Sequence, residues 1–190
     1  MISDQFFTTL DSKFNIDKLQ QETLDVWNRY ASAKTEQLSL IYRNGYKDDC
    51  WFDGTGSPFQ FDKDRRPVRG KNGEIVRRFS EDEFRYINPG LEDTELERIY
   101  NVLKKQFGLS RYRIAKLGPK RSYGWHRDEE IRIHVPVVTA PGCFIITDDG
   151  IASHLPADGS AHVFYANNGY HTALNSDYKI DRLHLLINVI

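Results

Sequence analysis

The sequence predicts a mainly β protein, a sandwich or jelly roll formed by its C-terminal part, with helices packed outside it. Three observations predict this. From Ser110 onward, short runs rich in β-branched and aromatic residues are separated by Gly, Pro, Asn and Asp. Two of these runs alternate between an apolar set and a set that carries an Arg and a His two residues apart. Two stretches before them carry helical rather than strand periodicity.

In chain order, residues 15–34 place Ile16, Leu19, Leu24, Val26, Trp27 and Tyr30 mostly at helical spacing, which predicts a first helix. Residues 41–79 are rich in Gly, Asp, Arg and aromatics. Within them, 61–79 holds seven basic residues (Lys63, Arg65, Arg66, Arg69, Lys71, Arg77 and Arg78). Lys71-Asn72-Gly73 predicts a hairpin turn there, in a solvated arm or in a lid over a site. Ser80 with Glu83 offers a short helix start that Pro89 ends. Residues 94–107 set Leu96, Ile99, Tyr100, Leu103 and Phe107 on one stripe, with Thr94 and Glu97 as a capping box and Gly108 as the residue past the helix end. Strands are predicted at 111–117, 131–138, 142–148, 162–167 and 182–190. In 131–138, Ile131, Ile133, Val135 and Val137 share one face and Arg132, His134 and Pro136 the other. In 182–189, Leu183, Leu185, Ile187 and Val189 oppose Arg182, His184, Leu186 and Asn188. If helices cover the apolar faces, the polar ones line the mouth of a barrel.

A chain of 190 residues favours one domain over 1–190, with helices and variable segments over 1–108 packing on a β core over 109–190. Aromatics make up 13% and charged residues 28%, which excludes a disordered tail. The formal net charge of −1 gives no bulk attraction to nucleic acid or to an anionic membrane, so neither is an expected partner. No apolar run approaches a bilayer span, and MISDQFFTTLDSKF lacks a basic segment before an apolar core, so the expected location is cytoplasmic. Cys50 and Cys143 fit no CxxC pattern and read as reduced structural thiols. The sequence does not set the oligomeric state.

The sharpest local signal is Trp125-His126-Arg127-Asp128. His126 and Asp128 lie two apart, so an extended backbone points both the same way. An imidazole and a carboxylate on one face can be two ligands of one divalent metal. His171, 45 residues after His126 in a separate strand-like segment, is the candidate third. Two His and one carboxylate leave other positions open, as in non-haem Fe(II) oxygenases. This requires the rings of His126 and His171 to lie within about 6 Å of each other. Eleven residues past His171 is Arg182, whose guanidinium can take a carboxylate bidentately. HxD alone is a weak signal; the distal His, the Arg and the β texture between them make it specific.

With GWHRD, RIHVPV, FYANNGYHTALN and RLHLLINVI in this order, the segment from about Leu117 to Ile190 resembles the Fe(II)/2-oxoglutarate-dependent oxygenases. It looks most like the aspartyl/asparaginyl β-hydroxylase branch with its proline 3-hydroxylase-like members. The resemblance implies a double-stranded β-helix, a cupin-like jelly roll. It also implies Fe(II), 2-oxoglutarate as co-substrate, O2, and hydroxylation of an unactivated C–H bond in an amino acid or a peptide or protein side chain. His126, Asp128 and His171 match the iron ligands. Arg182 matches the residue that pairs with the distal carboxylate of 2-oxoglutarate, and Arg132 with His134 matches a pair that helps hold the co-substrate. Some β-hydroxylases have Gly where Asp128 stands, so a complete triad fits the proline 3-hydroxylase-like members better. Thr172 and Asn175 are candidates to fix the imidazole tautomers, and His184 and Trp125 to line the pocket. His154 and His162 read as surface or loop histidines. The alternatives are a cupin-like metal- or small-molecule-binding module, which would have no use for Arg182, and a jelly-roll assembly protein, which would bind no metal.

Overall fold

Short antiparallel strands dominate the computed structural model, which describes residues 2–190. In chain order the elements are β1 (Phe7–Lys13), α1 (Ile16–Tyr30), β2 (Gln37–Ser39), β3 (Ile41–Arg43), β4 (Phe84–Ile87), α2 (Glu95–Lys104), β5 (Leu109–Leu117) and β6 (Arg121–Ser122). They continue with β7 (Ile131–Val138), β8 (Cys143–Thr147), β9 (Ala152–Ser153), β10 (Ser160–Phe164), β11 (His171–Asn175) and β12 (Arg182–Val189). Six strands form one sheet in the order β1-β10-β7-β12-β5-β2, four form a second in the order β6-β11-β8-β9, and β3 pairs with β4. Two antiparallel sheets of non-consecutive neighbours are the double-stranded β-helix.

Strand alternation decides which face is dry. Ile133, Val135 and Val137 of β7, with Leu183, Leu185 and Ile187 of β12, are buried in the main core. Tyr112 and Ile114 of β5 join them, and Leu19 of α1 with Leu96, Ile99 and Leu103 of α2 closes the layer from outside. The opposite face of the same strands, with Arg113, His134, Arg182 and His184, lines a cavity. The helices cover the apolar face and the polar face is kept for the site.

Local chemistry sets the element ends. Asn15 caps α1 by accepting from the Lys18 N–H, and Ala31 turns extended, so the helix stops four residues short of the expected end. Thr23 takes a buried place on α1, while Leu24 is 40% exposed and faces water. Thr94 caps α2 through the Glu97 N–H, but the Glu97 carboxylate reaches back to the Asp93 N–H, so only half of the expected box forms. Gly108 is not a left-handed cap. It is needed because a Cβ there would stand 2.7 Å from the Ile190 carbonyl oxygen. Ser80 and Glu83 do form a reciprocal box, around a single 3₁₀ turn; the chain then pairs as β4 against β3 instead of continuing as helix.

The 1–108 region contributes more to the sheets than expected: β1 and β2 are the two edges of the six-stranded sheet. The basic arm makes isolated bridges Phe59↔Arg77, Phe61↔Pro67 and Arg69↔Ile75, with Gly73 at φ +86° in the turn. In β5 a register shift opposite Ile187 and Asn188 leaves Arg111 unpaired at φ +23°, a bulge that re-aims the neighbouring side chains.

Candidate metal centre

The chain after β6 stays extended beside β11. The Tyr123 N–H donates to the Ala173 carbonyl, and His126 and His171 exchange both backbone hydrogen bonds at 3.0 and 2.8 Å. That pairing sets the two imidazoles side by side, with ring centroids 4.4 Å apart. Two residues on, the Asp128 N–H donates to the Ala166 carbonyl, which returns its side chain to the same spot. His126 Nε2 lies 3.9 Å and His171 Nε2 3.3 Å from the Asp128 carboxylate. Ligand atoms of the three residues all lie within 4.8 Å of one another. Two metal–nitrogen bonds of about 2.1 Å span at most about 4.2 Å, so a small contraction brings the three onto one ion.

The surroundings prepare these atoms. The Gly124 carbonyl can only accept, so the His126 Nδ1 beside it at 2.8 Å carries the hydrogen and Nε2 keeps its lone pair. Asp128 Oδ1 accepts from Arg132 Nη2 at 2.5 Å, while its buried Oδ2 has no hydrogen-bond partner among the described residues. Burial pushes this carboxyl up, but hydrogen bonding with His171 and the charge of Arg132 outweigh it and hold it below the ordinary carboxylate range. The ring of His171 is 3% exposed and fixed edge-on against Phe164, with centroids 4.7 Å apart. Two imidazole nitrogens, one orphaned carboxylate oxygen and open space beside them fit a divalent transition metal.

That space is a cavity of about 630 Å³ between the sheets. Arg182, the first residue of β12, lines it and is 7% exposed. Its polar neighbour is His184, with Nε to Nε2 at 3.2 Å; its Nη1 has no partner and no carboxylate lies within 4 Å, among the described residues. Burial lowers the Arg182 pKa to about 10, against smaller upward effects of Tyr123 and Cys143. His184 continues to His134, with the two Nδ1 atoms 3.2 Å apart. Burial, with the Arg182 charge beside them, holds both imidazoles well below their ordinary pKa.

The structure brings His126, Asp128, His171, Arg182, His134 and His184 onto one cavity and gives others different partners from those expected. Arg132 lines the same cavity and grips Asp128. The Thr172 hydroxyl donates to the Tyr123 carbonyl at 2.6 Å. The Asn175 amide donates to the Leu117 and Ile180 carbonyls, tying the turn that leads into Arg182. Neither touches an imidazole, because the backbone beside them had carbonyls to satisfy. Trp125 is at the cavity wall but 56% exposed, a rim residue. His162 is not at the surface: it is 2% exposed in β10, held by the Thr9 hydroxyl at 3.0 Å. His154 is half-buried against the Cys143 carbonyl. Arg111, Arg113 and Gln37 also line the cavity. Extending the alternation through β5, where Arg113, Ala115 and Leu117 share a face, would have found Arg113.

Of the arm, Ser57, Pro58 and Phe59 at its base reach the cavity. Arg77 pairs with Glu129 and Glu130 just beyond the HxD segment. Cys50 and Cys143 are buried free thiols, and no helix of the described residues is long and apolar enough to cross a membrane.

Among solved structures, the chain is similar to an oxidoreductase of the 2OG-Fe(II) oxygenase family from Burkholderia pseudomallei. The match covers 98% of this chain and 84% of that one at a TM-score of 0.53 and 12% identity. A prolyl-4-hydroxylase from Pseudomonas putida matches over 96% of this chain and 91% of that one, at a TM-score of 0.50 and 13% identity. These likenesses show the shared fold. No family model and no curated protein matches the sequence.

Proposed function

We propose that this chain is a non-haem Fe(II)- and 2-oxoglutarate-dependent dioxygenase, of the aspartyl/asparaginyl β-hydroxylase-like kind. It would hydroxylate an unactivated C–H bond of an amino acid or of a peptide or protein side chain. The single observation that carries this reading is one cavity lined both by the donor atoms of His126, Asp128 and His171, within 4.8 Å of one another, and by the buried Arg182 guanidinium, which has no carboxylate within 4 Å among the described residues. A module that only bound metal would have no reason to keep that guanidinium out of water.

In this reading His126 and His171 hold the iron through Nε2 and Asp128 through its carboxylate, with Gly124 fixing the first ring and Arg132 orienting the carboxylate. Arg182 binds the far carboxylate of 2-oxoglutarate, and His184 and His134 stay neutral behind it. With iron and co-substrate bound, the site supplies oxidative chemistry in which 2-oxoglutarate, O2 and R–H give succinate, CO2 and R–OH. The protein's part is to orient the substrate over the donor set and to exclude water, with Phe164 and the cavity walls forming the dry lining. A cytoplasmic location, and a small molecule, peptide or protein as substrate instead of nucleic acid, go with this proposal.

The test is anaerobic loading with Fe(II) and 2-oxoglutarate, followed by succinate release on admitting O2. The expected result is Fe(II)-dependent succinate that vanishes in His126→Ala. Arg182→Ala should keep the metal and lose the co-substrate. A chain that binds Fe(II) but neither binds nor consumes 2-oxoglutarate would leave the cupin-like binding module as the reading.

A further inference from the structure

Five guanidiniums border the cavity between the sheets: Arg111, Arg113, Arg127, Arg132 and Arg182. Arg127 is exposed and donates to the Asn167 carbonyl at 2.9 Å. Arg111 is satisfied, donating to the Gly54 and Gly56 carbonyls and pairing with the buried Glu81 at 3.3 Å. Arg132 has Asp128. Arg182 is assigned above to the co-substrate. Arg113 remains, and nothing in that assignment uses it.

Arg113 is 2% exposed. Its Nη1 donates to Gln37 Oε1 at 3.3 Å and its Nη2 to Asn188 Oδ1 at 2.7 Å, both neutral acceptors. Its Nε has no partner, and no carboxylate lies within 4 Å of it among the described residues. A guanidinium carries five N–H donors, so neutral oxygens on two of them leave both charge and hydrogen-bonding capacity unmet. Burial acts strongly against the charged form, and the neighbouring charges of Arg111 and Arg132 add to it; Glu81, reached through Asn188, and Asp128 offset this without contacting the guanidinium. Buried cations are normally paired, and an anion arriving from outside is the remaining way to pair this one.

The place is as informative as the charge. Arg113 stands opposite Leu186 and Arg182 opposite Leu117 in the β5–β12 register. The two backbone positions are therefore four residues apart along β12, on the order of 13 Å. Arg113 lies toward the β2 edge, beside Gln37 and the Gly56–Phe59 base of the arm, and all of these line the cavity. No arginine of the arm lines the cavity: Arg77 is taken by Glu129 and Glu130, and Arg78 by the Thr55 and Ser57 carbonyls. A cavity of about 630 Å³ is mid-range for small-molecule sites of about 300–1,000 Å³.

We propose that Arg113 is a second anion seat, which takes a carboxylate of the primary substrate, and hence that the substrate is a small free carboxylic acid and not an internal residue of a protein. The word substrate rests on the oxygenase reading; the seat itself does not. Gln37 positions the guanidinium and shares its Oε1 with the Gly56 N–H at 3.0 Å, which couples the seat to the base of the arm.

The test uses the full chain, metal-free and loaded with Mn(II) and 2-oxoglutarate. It is titrated with the twenty proteinogenic L-amino acids and small mono- and dicarboxylic acids, each beside its carboxamide, and with inorganic phosphate. At least one acid is expected to bind, its amide at least about tenfold more weakly, and phosphate no better than the amide. Arg113→Met should lose this preference. Because that variant alters a buried layer, Gln37→Glu is the sharper probe. It places a carboxylate where Oε1 now stands and gives Arg113 an internal partner. It should fold with an unchanged or higher Tm, bind the acid at least about tenfold more weakly, and keep its affinity for Mn(II) and 2-oxoglutarate. Equal binding of acid and amide, a preference for phosphate, acid binding by Gln37→Glu equal to wild type, or no binding by any acid would each overturn the seat. Failure of the wild type to bind Mn(II) with 2-oxoglutarate would instead overturn the oxygenase reading, and the acid–amide comparison on the metal-free chain still decides the seat.

Discussion

Holding the Arg182 guanidinium almost out of water, with an imidazole as its polar neighbour, works against folding. Replacing it by a side chain of similar length without charge removes that penalty. Arg182→Met is therefore expected to raise stability by about 1–4 kcal/mol, measured by urea denaturation, while 2-oxoglutarate binding weakens by about 100-fold or more. A variant that lost stability and kept its co-substrate would show Arg182 to be a packing residue. The buried imidazoles carry a second prediction at this scale. Burial lowers the pKa of His134, His162 and His184 in the folded chain. Below about pH 6.5 the unfolded chain takes up protons that the folded chain refuses, so stability is full at neutral pH and falls as pH falls through that value. The expected slope is up to about 1.4 kcal/mol per pH unit for each histidine. His184→Gln should remove one histidine's share between pH 6.5 and 5; an unchanged slope would mean His184 is free to ionise in the folded protein.

At the scale of the element, the arm over residues 57–78 is held to the site side by Arg77. The Arg77 side chain is 35% exposed and its partner Glu129 is 60% exposed, so the pair contributes less than about 1 kcal/mol to global stability. What it sets is where the arm rests. Arg77→Ala should leave Tm within a degree or two, speed proteolytic cleavage within 57–78, and raise KM for the primary substrate more than it lowers kcat. If the cleavage rate stays the same, the pair does not hold the arm. The arm also shows how far local pattern reaches: the Lys71-Asn72-Gly73 turn is visible in sequence, but the pairing of Phe59 with Arg77 across 18 residues is not. The same holds for Ser80 and Glu83. Their capping chemistry is present, and whether it starts a helix or a single turn before a strand was decided by β3 lying alongside.

For the whole molecule, the donor set joins the segment after β6 to β11, and Arg132, which holds Asp128, stands in β7, so metal binding is linked to global folding. A divalent ion at 100 times its dissociation constant should stabilise the chain by about 2.7 kcal/mol, and a chelator should reverse this. Asp128→Ala, which removes one ligand and leaves Arg132 without its partner, should show almost no metal-dependent shift in Tm. A metal-induced shift of wild-type size in Asp128→Ala would place the ion elsewhere.

Residue type and spacing alone determined the alternation of β7 and β12, the helices over much of their length, and which side chains carry ligand chemistry. Each of these follows from a local period or a short motif, which the chain holds however it folds. Which partner each polar group found was decided only in three dimensions. Arg132 turned to Asp128, Thr172 and Asn175 turned to backbone carbonyls, His162 was buried beside β1, and Arg113 met neutral amides from β2 and β12. Those pairings depend on sheet register between segments far apart in sequence and on which buried backbone groups are left to satisfy. A local period does not carry that information, and the closed sheets supply it.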